Sequence, residues 1–522
     1  MSLAARSARR PKVLLAATLL VVAVLALPLA FLLTEAAGAG ASNVWHLIWR
    51  SLTASLLWNT VRLTVVVTVL CAVIGTLAAY GVERTDLPGR SVWAVLVVVP
   101  FAIPDFVVSF GWSSLSTWVQ GFRGAVLVMT LAVYPLVYLP VAASLRGADP
   151  GQEEIARSLG VSRLATFFRI TLGQARRAIL GGCLLVALVI LAEYGAFEIL
   201  GFQTFTTEIF AEFNIVDTSV ACALSLVLVL LSLFVLVGES ASRGGGRVSR
   251  TGPGAQRVLA RRRLGRARLP VLIGYALLVL AALGVPIGSS VYWIFEGGAH
   301  SLMGASLGSA ALHTAGYSLA AALVATAMAL PVALLVARHP GRVHLLLERT
   351  TFLVLAMPGL VVALAISYFS TRYANSFGYQ TAPLLVLAYS IMFFPLALVC
   401  VRASVAQSPV SLEEVAGSLG VRRLPSFLRV TLPLVAPGVG AAFCLVFLSA
   451  VTELTATLIL IPTNAETLAT QFWAYQQNLS YGQAAPFALV IIAIAAVPSY
   501  VLGRFFDRLP RRGLAQAPGV VT

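Results

Sequence analysis

Long apolar runs separated by short polar stretches recur along the whole chain. Each run can cross a bilayer, because about 20 helical residues at a rise of 1.5 Å span its ~30 Å hydrocarbon core. The pattern predicts an all-α polytopic membrane protein with about 12 transmembrane helices. The predicted spans cover approximately residues 13–33, 56–80, 91–111, 124–144, 178–200, 218–238, 270–293, 313–337, 350–370, 382–402, 434–460 and 484–503.

Composition and charge agree with this class. Hydrophobic residues make up 59% of the 522 positions and charged residues only 11%, against about 25% charged in soluble domains. A net charge of +16 could indicate nucleic-acid binding in a soluble chain. Here the arginines concentrate in alternate loops and at both termini, which the positive-inside rule places in the cytoplasm. We therefore expect membrane lipid around the protein, no nucleic-acid partner, and both termini in the cytoplasm.

The first apolar run has a second interpretation. Arg9 and Arg10 precede it and a small-residue stretch follows, as in a secretory signal peptide. The run of about 21 residues exceeds the usual 7–15-residue apolar core of such peptides. We expect a retained membrane helix, with cleavage as the alternative.

A polar sequence of twenty residues is written twice. Residues 153–172 and 413–432 match at thirteen positions without a gap. Surface packing on a bilayer requires amphipathicity but not repeated identity, so a plain interfacial helix is the weaker interpretation. The repeat predicts two equivalent docking surfaces and a partner that is itself twofold.

Local signals predict two short helices joined by a bend in each copy. Gly160 and Gly420 are suited to left-handed helix termination. In the second copy, Ser408–Pro409 is suited to a cap followed by a first helical residue, and Ser411 and Glu414 have capping-box spacing.

The repeat divides the chain into two pseudo-symmetric six-helix halves. The predicted domains are residues 1–242, with a loop at 149–173, and residues 270–522, with a loop at 408–433; a Gly- and Arg-rich cytoplasmic linker, 243–269, joins them. An even number of helices separates the copies, so both halves have the same orientation. We expect an axis along the membrane normal and a pathway between the halves.

The repeated loop resembles the cytoplasmic signature of permease subunits of ATP-binding-cassette (ABC) importers. The signature is E-x-A-x-x-x-G followed after nine residues by an aliphatic residue, any residue and leucine. The chain departs from the commonest form at Ile155 and Val415, where alanine is frequent, and at Gly173, where proline is frequent. The resemblance implies ATPase-coupling roles for Glu153, Glu154, Ala156, Gly160, Glu413, Glu414, Ala416 and Gly420.

The resemblance also implies a fold, partners and a location. It implies two fused domains of the type I ABC importer permease fold in the bacterial cytoplasmic (inner) membrane. A homodimer of ABC ATPase subunits would dock on the cytoplasmic side, and an extracytoplasmic solute-binding protein would deliver substrate. Residues 192–210 and 452–473 resemble ferric-iron permeases. Fused permeases for thiamine, polyamines or phosphonates share the architecture and stay as alternatives.

Nothing in the chain predicts an enzyme. No G-x-x-x-x-G-K-[ST] sequence occurs, and Lys12 is the only lysine, so a P-loop is excluded. We expect no cofactor on this chain, with ATP and Mg²⁺ bound by the partner ATPase.

Two glutamates fall in predicted spans at the same distance from the repeat. Glu193 follows Glu154 by 39 residues, as Glu453 follows Glu414. A carboxylate in a bilayer costs at least about 2.5 kcal/mol and usually faces the bundle interior. Both could line a translocation pathway and act as transient oxygen ligands of a trivalent metal ion, or lock helices by hydrogen bonds.

Two neighbouring residues lack a counterpart in the other half. Tyr194, for which Leu454 stands in the second half, is a candidate pathway residue. Asp105, for which Gly359 stands in the second half, is interpreted as structural.

Two other transporter classes remain as alternatives. In a proton-coupled secondary transporter the glutamates would carry protons, but such a carrier has no need of a duplicated cytoplasmic dock. A passive channel is disfavoured because no filter motif is present.

Overall fold

The computed structural model describes residues 12–38, 49–148, 151–215, 218–242, 262–298, 306–338, 354, 356–373 and 378–514. Within these ranges the protein is helical throughout, and the one extended pairing is an isolated bridge between Thr85 and Arg262. The described residues thus confirm an all-α membrane protein.

The chain packs into two compact units, and each unit combines separate stretches of the sequence. The first unit contains residues 36–303 and 475–489. The second contains residues 1–35, 304–474 and 490–522. The N-terminal helix therefore packs in the second unit, and the helix that follows the predicted linker packs in the first. The linker-based division into 1–242, 243–269 and 270–522 concerns the sequence repeat and stays a prediction.

The first packing unit is built mainly from these helices: α2 (Ser51–Arg84), α3 (Arg90–Leu96), α4 (Asp105–Ser113), α5 (Gly121–Val133), α6 (Pro135–Gly147), α7 (Gly151–Ser158), α8 (Arg163–Thr166), α9 (Leu172–Ala192), α10 (Gly195–Ile199), α11 (Phe205–Ile215), α12 (Thr218–Ser242), α13 (Arg268–Val279) and α14 (Val285–Gly297). A 3-10 turn, Val99–Ala102, follows α3, and a π turn, Leu280–Gly284, joins α13 to α14.

The second packing unit contains α1 (Lys12–Gly38, whose last three residues fall in the first unit), α15 (Ser306–Arg338), α16 (Gly359–Tyr373), α17 (Ala382–Gln407), α18 (Val410–Ser418), α19 (Arg423–Ser426), α20 (Leu432–Val451) and α21 (Thr455–Leu460). Two further helices, α22 (Leu468–Gln477) and α23 (Tyr481–Leu514), have residues in both units. Phe31 of α1 packs edge to face on Phe369 of α16, with ring centroids 6.2 Å apart.

Ten helices in the described ranges are long and apolar enough to span a membrane. An eleventh span is formed if α3 with its 3-10 turn is joined to α4 across a 93° bend. This bend falls in the predicted span 91–111. The predicted span 350–370 begins outside the described residues, so twelve helices are consistent with the structure but not individually established.

Two prolines explain the bend before α4. Pro100 lies inside the 3-10 turn, and Pro104, at the cap of α4, has φ −58° and ψ 142°. Proline supplies no N–H and biases the preceding residue away from helical angles. Ile103 accordingly is extended, with φ −89° and ψ 126°. The helix cannot continue through this pair and restarts at Asp105.

Close helix packing in the first unit depends on glycine. A Cβ at Gly75 of α2 would lie 2.9 Å from the backbone nitrogen of Tyr138, and one at Gly182 of α9 would lie 2.7 Å from the Cα of Val137. Both contacts are with α6, so α6 is held between α2 and α9 at a separation only small residues permit.

Replacing Gly182 with alanine should loosen this contact. Since the obstacle is backbone, α6 and α9 must separate, at a cost of about 1–3 kcal/mol. Gly173→Ala is a matched control on the same helix, because its Cβ would meet nothing within 4 Å, and helix propensity favours alanine by about 1 kcal/mol. Thermal unfolding of the detergent-purified protein should show a lower midpoint for Gly182→Ala only. Equal midpoints for the two variants would contradict the packing argument.

Candidate functional site

The repeated loops fold into the same local structure in both halves. Helices α7 and α18 are each terminated by a glycine two residues after their last helical residue. Its φ is positive in both copies, +80° at Gly160 and +79° at Gly420. The following backbone N–H bonds to the carbonyl five residues earlier, from Val161 to Ala156 and from Val421 to Ala416, at 3.0 Å in both copies. This is the Schellman arrangement, and it confirms the predicted left-handed ends.

The predicted start of α18 is wrong by one residue. The helix begins at Val410 with Pro409 in the cap position, and no side chain caps it. Ser411 lies inside the first turn, and its predicted capping box with Glu414 does not form. Ser408 instead ends α17 and offers its carbonyl to Arg338 at 3.1 Å.

Apolar side chains at equivalent positions of α7 and α18 are exposed to solvent. Ile155 and Leu159 are 61% and 76% exposed, and Val415 and Leu419 are 55% and 76% exposed. We call each pair, with the adjacent glutamate of the loop signature, a docking surface. Glu414 is exposed, whereas the side chain of Glu154 lies outside the described residues.

The other glutamate of each pair is turned toward the protein. Glu153 and Glu413 each accept a hydrogen bond from a threonine hydroxyl, Thr171 and Thr431, at 2.9 Å. Each glutamate also forms an ion pair with the arginine that ends a long membrane helix. Glu153 pairs with Arg84 of α2 at 3.6 Å, and Glu413 pairs with Arg338 of α15 at 2.7 Å. We call each Arg–Glu–Thr group a clamp. The two clamps connect each docking helix to two membrane helices.

The threonine of each clamp lies in a π turn. Phe167–Thr171 joins α8 to α9, and Phe427–Thr431 joins α19 to α20. Such a turn inserts one residue into a continuous helix and is frequent at functional sites. The repeated loop therefore runs directly into a membrane helix in both halves.

The two membrane glutamates lie at helix breaks. In contrast to the predicted spans 178–200 and 434–460, α9 ends at Ala192 and α20 ends at Val451. The carboxylate of Glu193 accepts a hydrogen bond from the Ala196 N–H at 2.7 Å, and that of Glu453 accepts one from Ala456 at 3.0 Å. Each half-buried glutamate thus satisfies a free N–H at the start of the next short helix.

The surroundings of these glutamates differ between the halves. The side chain of Asp105, at the start of α4, lies close enough to that of Glu193 for the two carboxyl groups to interact. At the corresponding position Gly359 lies beside Glu453, since a Cβ there would be 3.8 Å from the Oε1 atom. Asp105 is therefore a partner of Glu193.

Tyr194 is 2% exposed and its ring stacks on Phe210, with centroids 4.3 Å apart. Its assignment to a pathway stays a prediction. No group of three His, Cys, Asp or Glu side chains within the described ranges has metal-site geometry. Any metal contact of Glu193 or Glu453 would need further oxygen donors of another type.

The clamp arginines were missed by sequence reasoning. Arg84 lies 24 residues after Thr60, as Arg338 lies 24 residues after Thr314. Thr171 and Thr431 are among the identical positions of the repeat. The sequence signal for the clamps was therefore a second set of polar residues repeated at constant spacing. The positions of the apolar spans do not reveal it.

Neutralising Glu153 should destabilise the protein more than neutralising Glu413. Arg84 and Glu153 have side chains 4% and 10% exposed, against 11% and 33% for Arg338 and Glu413. A buried cation that loses its partner costs about 3–5 kcal/mol, whereas a partly exposed pair contributes about 1 kcal/mol or less.

The variants are Glu153→Gln, Glu413→Gln and the exposed control Glu414→Gln. Unfolding midpoints in detergent should fall in the first, fall slightly in the second and stay unchanged in the third. The reverse order of midpoints for the two clamp variants would refute the assignment.

Known proteins give the same picture. The chain matches the family model described as binding-protein-dependent transport system inner membrane component over residues 72–239 and 329–513. It is 35% identical over 504 residues to the "Fe(3+)-transport system permease protein FbpB 2" of Haemophilus influenzae, covering 95% of this chain and 99% of that protein.

Two more distant relatives were also found. The "Ferric transport system permease protein FbpB" of Actinobacillus pleuropneumoniae is 21% identical over 457 residues, covering 79% of this chain and 65% of that protein. The "Sulfate transport system permease protein CysT" of Salmonella typhimurium is 28% identical over 254 residues, which is 44% of this chain and 91% of that protein. The two matched segments, each containing one clamp and one docking helix, together cover more than half of the chain. The protein therefore belongs to the family of inner membrane components of binding-protein-dependent transport systems, as a multi-pass ABC permease with the type I fold.

Proposed function

We propose that the chain is the fused permease of an ATP-driven importer that moves ferric iron into the bacterial cytoplasm. The observation that carries this proposal is the repeated docking surface. The same exposed apolar pair recurs 260 positions later, from Ile155 and Leu159 to Val415 and Leu419. One partner with two equal clefts satisfies both surfaces, and a homodimer of ABC ATPase subunits has that property.

The clamps give the docking surfaces a mechanical connection. A displacement of α7 acts on α2 through the ion pair with Arg84, and on α9 through Thr171. The second copy supplies the same two connections to α15 and α20. ATP-driven movement of the partner would thus be passed to two membrane helices in each half.

The division of labour follows from the sequence. ATP and Mg²⁺ belong on the partner, because this chain has no P-loop sequence. The chain itself is a transport subunit rather than an enzyme. We place both termini and the docking surfaces in the cytoplasm, with an extracytoplasmic binding protein delivering substrate on the opposite side.

Iron as the substrate is supported by the relative that matches along nearly the whole chain, which is named for Fe(3+) transport. The match to the sulfate permease covers less than half of this chain. Glu193 and Glu453 offer carboxylate oxygen at equivalent helix breaks, as expected for a passage used by a hard cation. Thiamine, polyamines and phosphonates have no comparable support in these residues.

Reversing the docking charge should separate the ATPase from the permease. Glu154→Lys with Glu414→Lys places a cation near the N-terminus of each docking helix, where the helix dipole also opposes it. We expect normal amounts of permease in the membrane but loss of the co-purifying ATPase.

Glu296→Lys is the matched control, since Glu296 is exposed and lies in the last turn of α14, on the face expected to be extracytoplasmic. ATPase recovery at wild-type yield with the double variant would count against the docking surfaces.

The proposed function is tested by ATP-dependent uptake of ferric iron into vesicles containing permease, ATPase and binding protein. Glu193→Gln with Glu453→Gln keeps the size and hydrogen-bonding capacity of each side chain but removes its charge. Loss of a charge-assisted contact of about 1.5–3 kcal/mol should lower uptake roughly tenfold or more, while unfolding midpoints stay close to wild type. Wild-type uptake by the double variant would make these residues structural, and no uptake by the unmodified complex would refute iron as the substrate.

A further inference from the structure

A small cavity lies beside Glu453 in the second packing unit. Its volume is about 200 Å³, part of which is open to solvent.

The lining of the cavity is rich in oxygen and poor in positive charge. Glu453, Tyr317, Tyr389 and Ser318 all line it, and no Lys, Arg or His is among its described lining residues. The hydroxyl of Ser318, in a residue 1% exposed, has no hydrogen-bond partner among the described residues. An unpaired buried hydroxyl is energetically costly, so the Ser318 oxygen favours binding of a ligand in the cavity.

The hydrogen bonds around the cavity leave oxygen lone pairs free, which favours a cation as the ligand. Thr457 donates its hydroxyl proton to the Glu453 carbonyl at 2.7 Å, so Tyr389, which is hydrogen-bonded to Thr457, must be the donor in that pair. Lone pairs therefore remain on the Tyr389 oxygen. Together with the Glu453 carboxylate, they make the cavity an acceptor-rich site that suits a cation.

The first half does not repeat this lining. Helices α2 and α15 correspond with a shift of 254 positions, shown by Arg84 and Arg338, and this places Leu63 at the position of Tyr317. Helices α5–α6 and α17 correspond with a shift of 260, which places Met129 at the position of Tyr389. Leu63 and Met129 are fully buried. Both phenol oxygens are therefore specific to the second half.

The glutamates differ in the same sense. The Asp105 carboxyl group lies beside Glu193, whereas the glycine beside Glu453 brings no second carboxyl group. The Glu453 carboxylate accepts the Ala456 N–H and has no competing carboxyl group at that position.

We propose that this cavity is a transient binding site for one ferric ion on its way through the permease, an inference that rests on the proposed function. Glu453 supplies a carboxylate oxygen, and Ser318 and Tyr389 supply neutral oxygens. The half-buried phenol of Tyr317 binds as phenolate. One O–H bond breaks, one Fe–O bond forms, and the proton leaves to water, because a bound cation strongly acidifies its ligands. Oxygen donors of this kind suit a hard cation.

The test uses the purified complex titrated with ferric nitrilotriacetate. Ferric phenolate absorbs visible light by charge transfer, so a band should grow to one iron per permease. Tyr317→Phe should abolish the band, and Tyr389→Phe or Ser318→Ala should weaken iron binding several-fold. Tyr292→Phe, at an exposed tyrosine of α14 outside the cavity, should leave the band unchanged. If Tyr389→Phe fails to fold, Tyr317→Phe still decides the question.

Iron uptake is measured on the same preparations. Uptake without a band, or a band that survives Tyr317→Phe, would overturn the cavity site while leaving the proposed function intact. Absence of both band and uptake in the unmodified complex would overturn both. A band that depends on Tyr317 and is lost together with uptake in Glu453→Gln would establish the site.

Discussion

An apolar surrounding leaves no water to satisfy free backbone groups, and this constraint governs how the membrane helices of this protein end. A break inside the bilayer exposes C=O groups at the end of one helix and N–H groups at the start of the next, and each costs several kcal/mol if unpaired. Glu193 and Glu453 solve this problem by accepting a hydrogen bond from the start of the next helix. Each helix break thus needs an acceptor for its free N–H, and the carboxylate of the adjacent glutamate provides it. Polar chemistry at membrane depth is available to the protein because the chain must cap these ends.

The repeated loops depend on a related balance between burial and charge pairing. Arg84 ends a long membrane helix in a buried position, where its charge would be prohibitive without Glu153. The pair fixes the docking helix in place, and the π turn after α8 brings Thr171 to the same carboxylate. Exposed leucine and isoleucine residues on the outer side of that helix are then oriented by buried charges on its inner side.

Much of this could be predicted from the sequence, and the parts that could not have physical causes. Span positions and the left-handed glycines follow from hydrophobicity and steric rules, which act locally. The break at Glu193 was not predicted, because periodicity extends smoothly through residues 178–200 and only the carboxylate marks the interruption. The pairing of Asp105 with Glu193, and of Arg84 with Glu153, joins residues far apart in sequence. Single-sequence patterns report faces of helices and not which faces meet. The cap of α18 failed for a simpler reason, since Pro409 can occupy either the cap or the first helical position.

The exchange of α1 and α13–α14 between the packing units bears on how such a chain arises. Tyr275 of α13 donates a hydrogen bond to the Ala78 carbonyl at 2.5 Å, and Trp112 of α4 donates one to Ala281 at 3.3 Å. Each unit is therefore completed by a helix encoded in the other half. Two separately made halves would have to exchange helices on meeting, and their affinity would include the burial of those helices. Joining them in one chain replaces that bimolecular step by an intramolecular one, with an effective concentration of about millimolar. Fusion in this view sets equal stoichiometry and rapid assembly, and leaves the two halves free to diverge, as the residues around Glu193 and Glu453 have done.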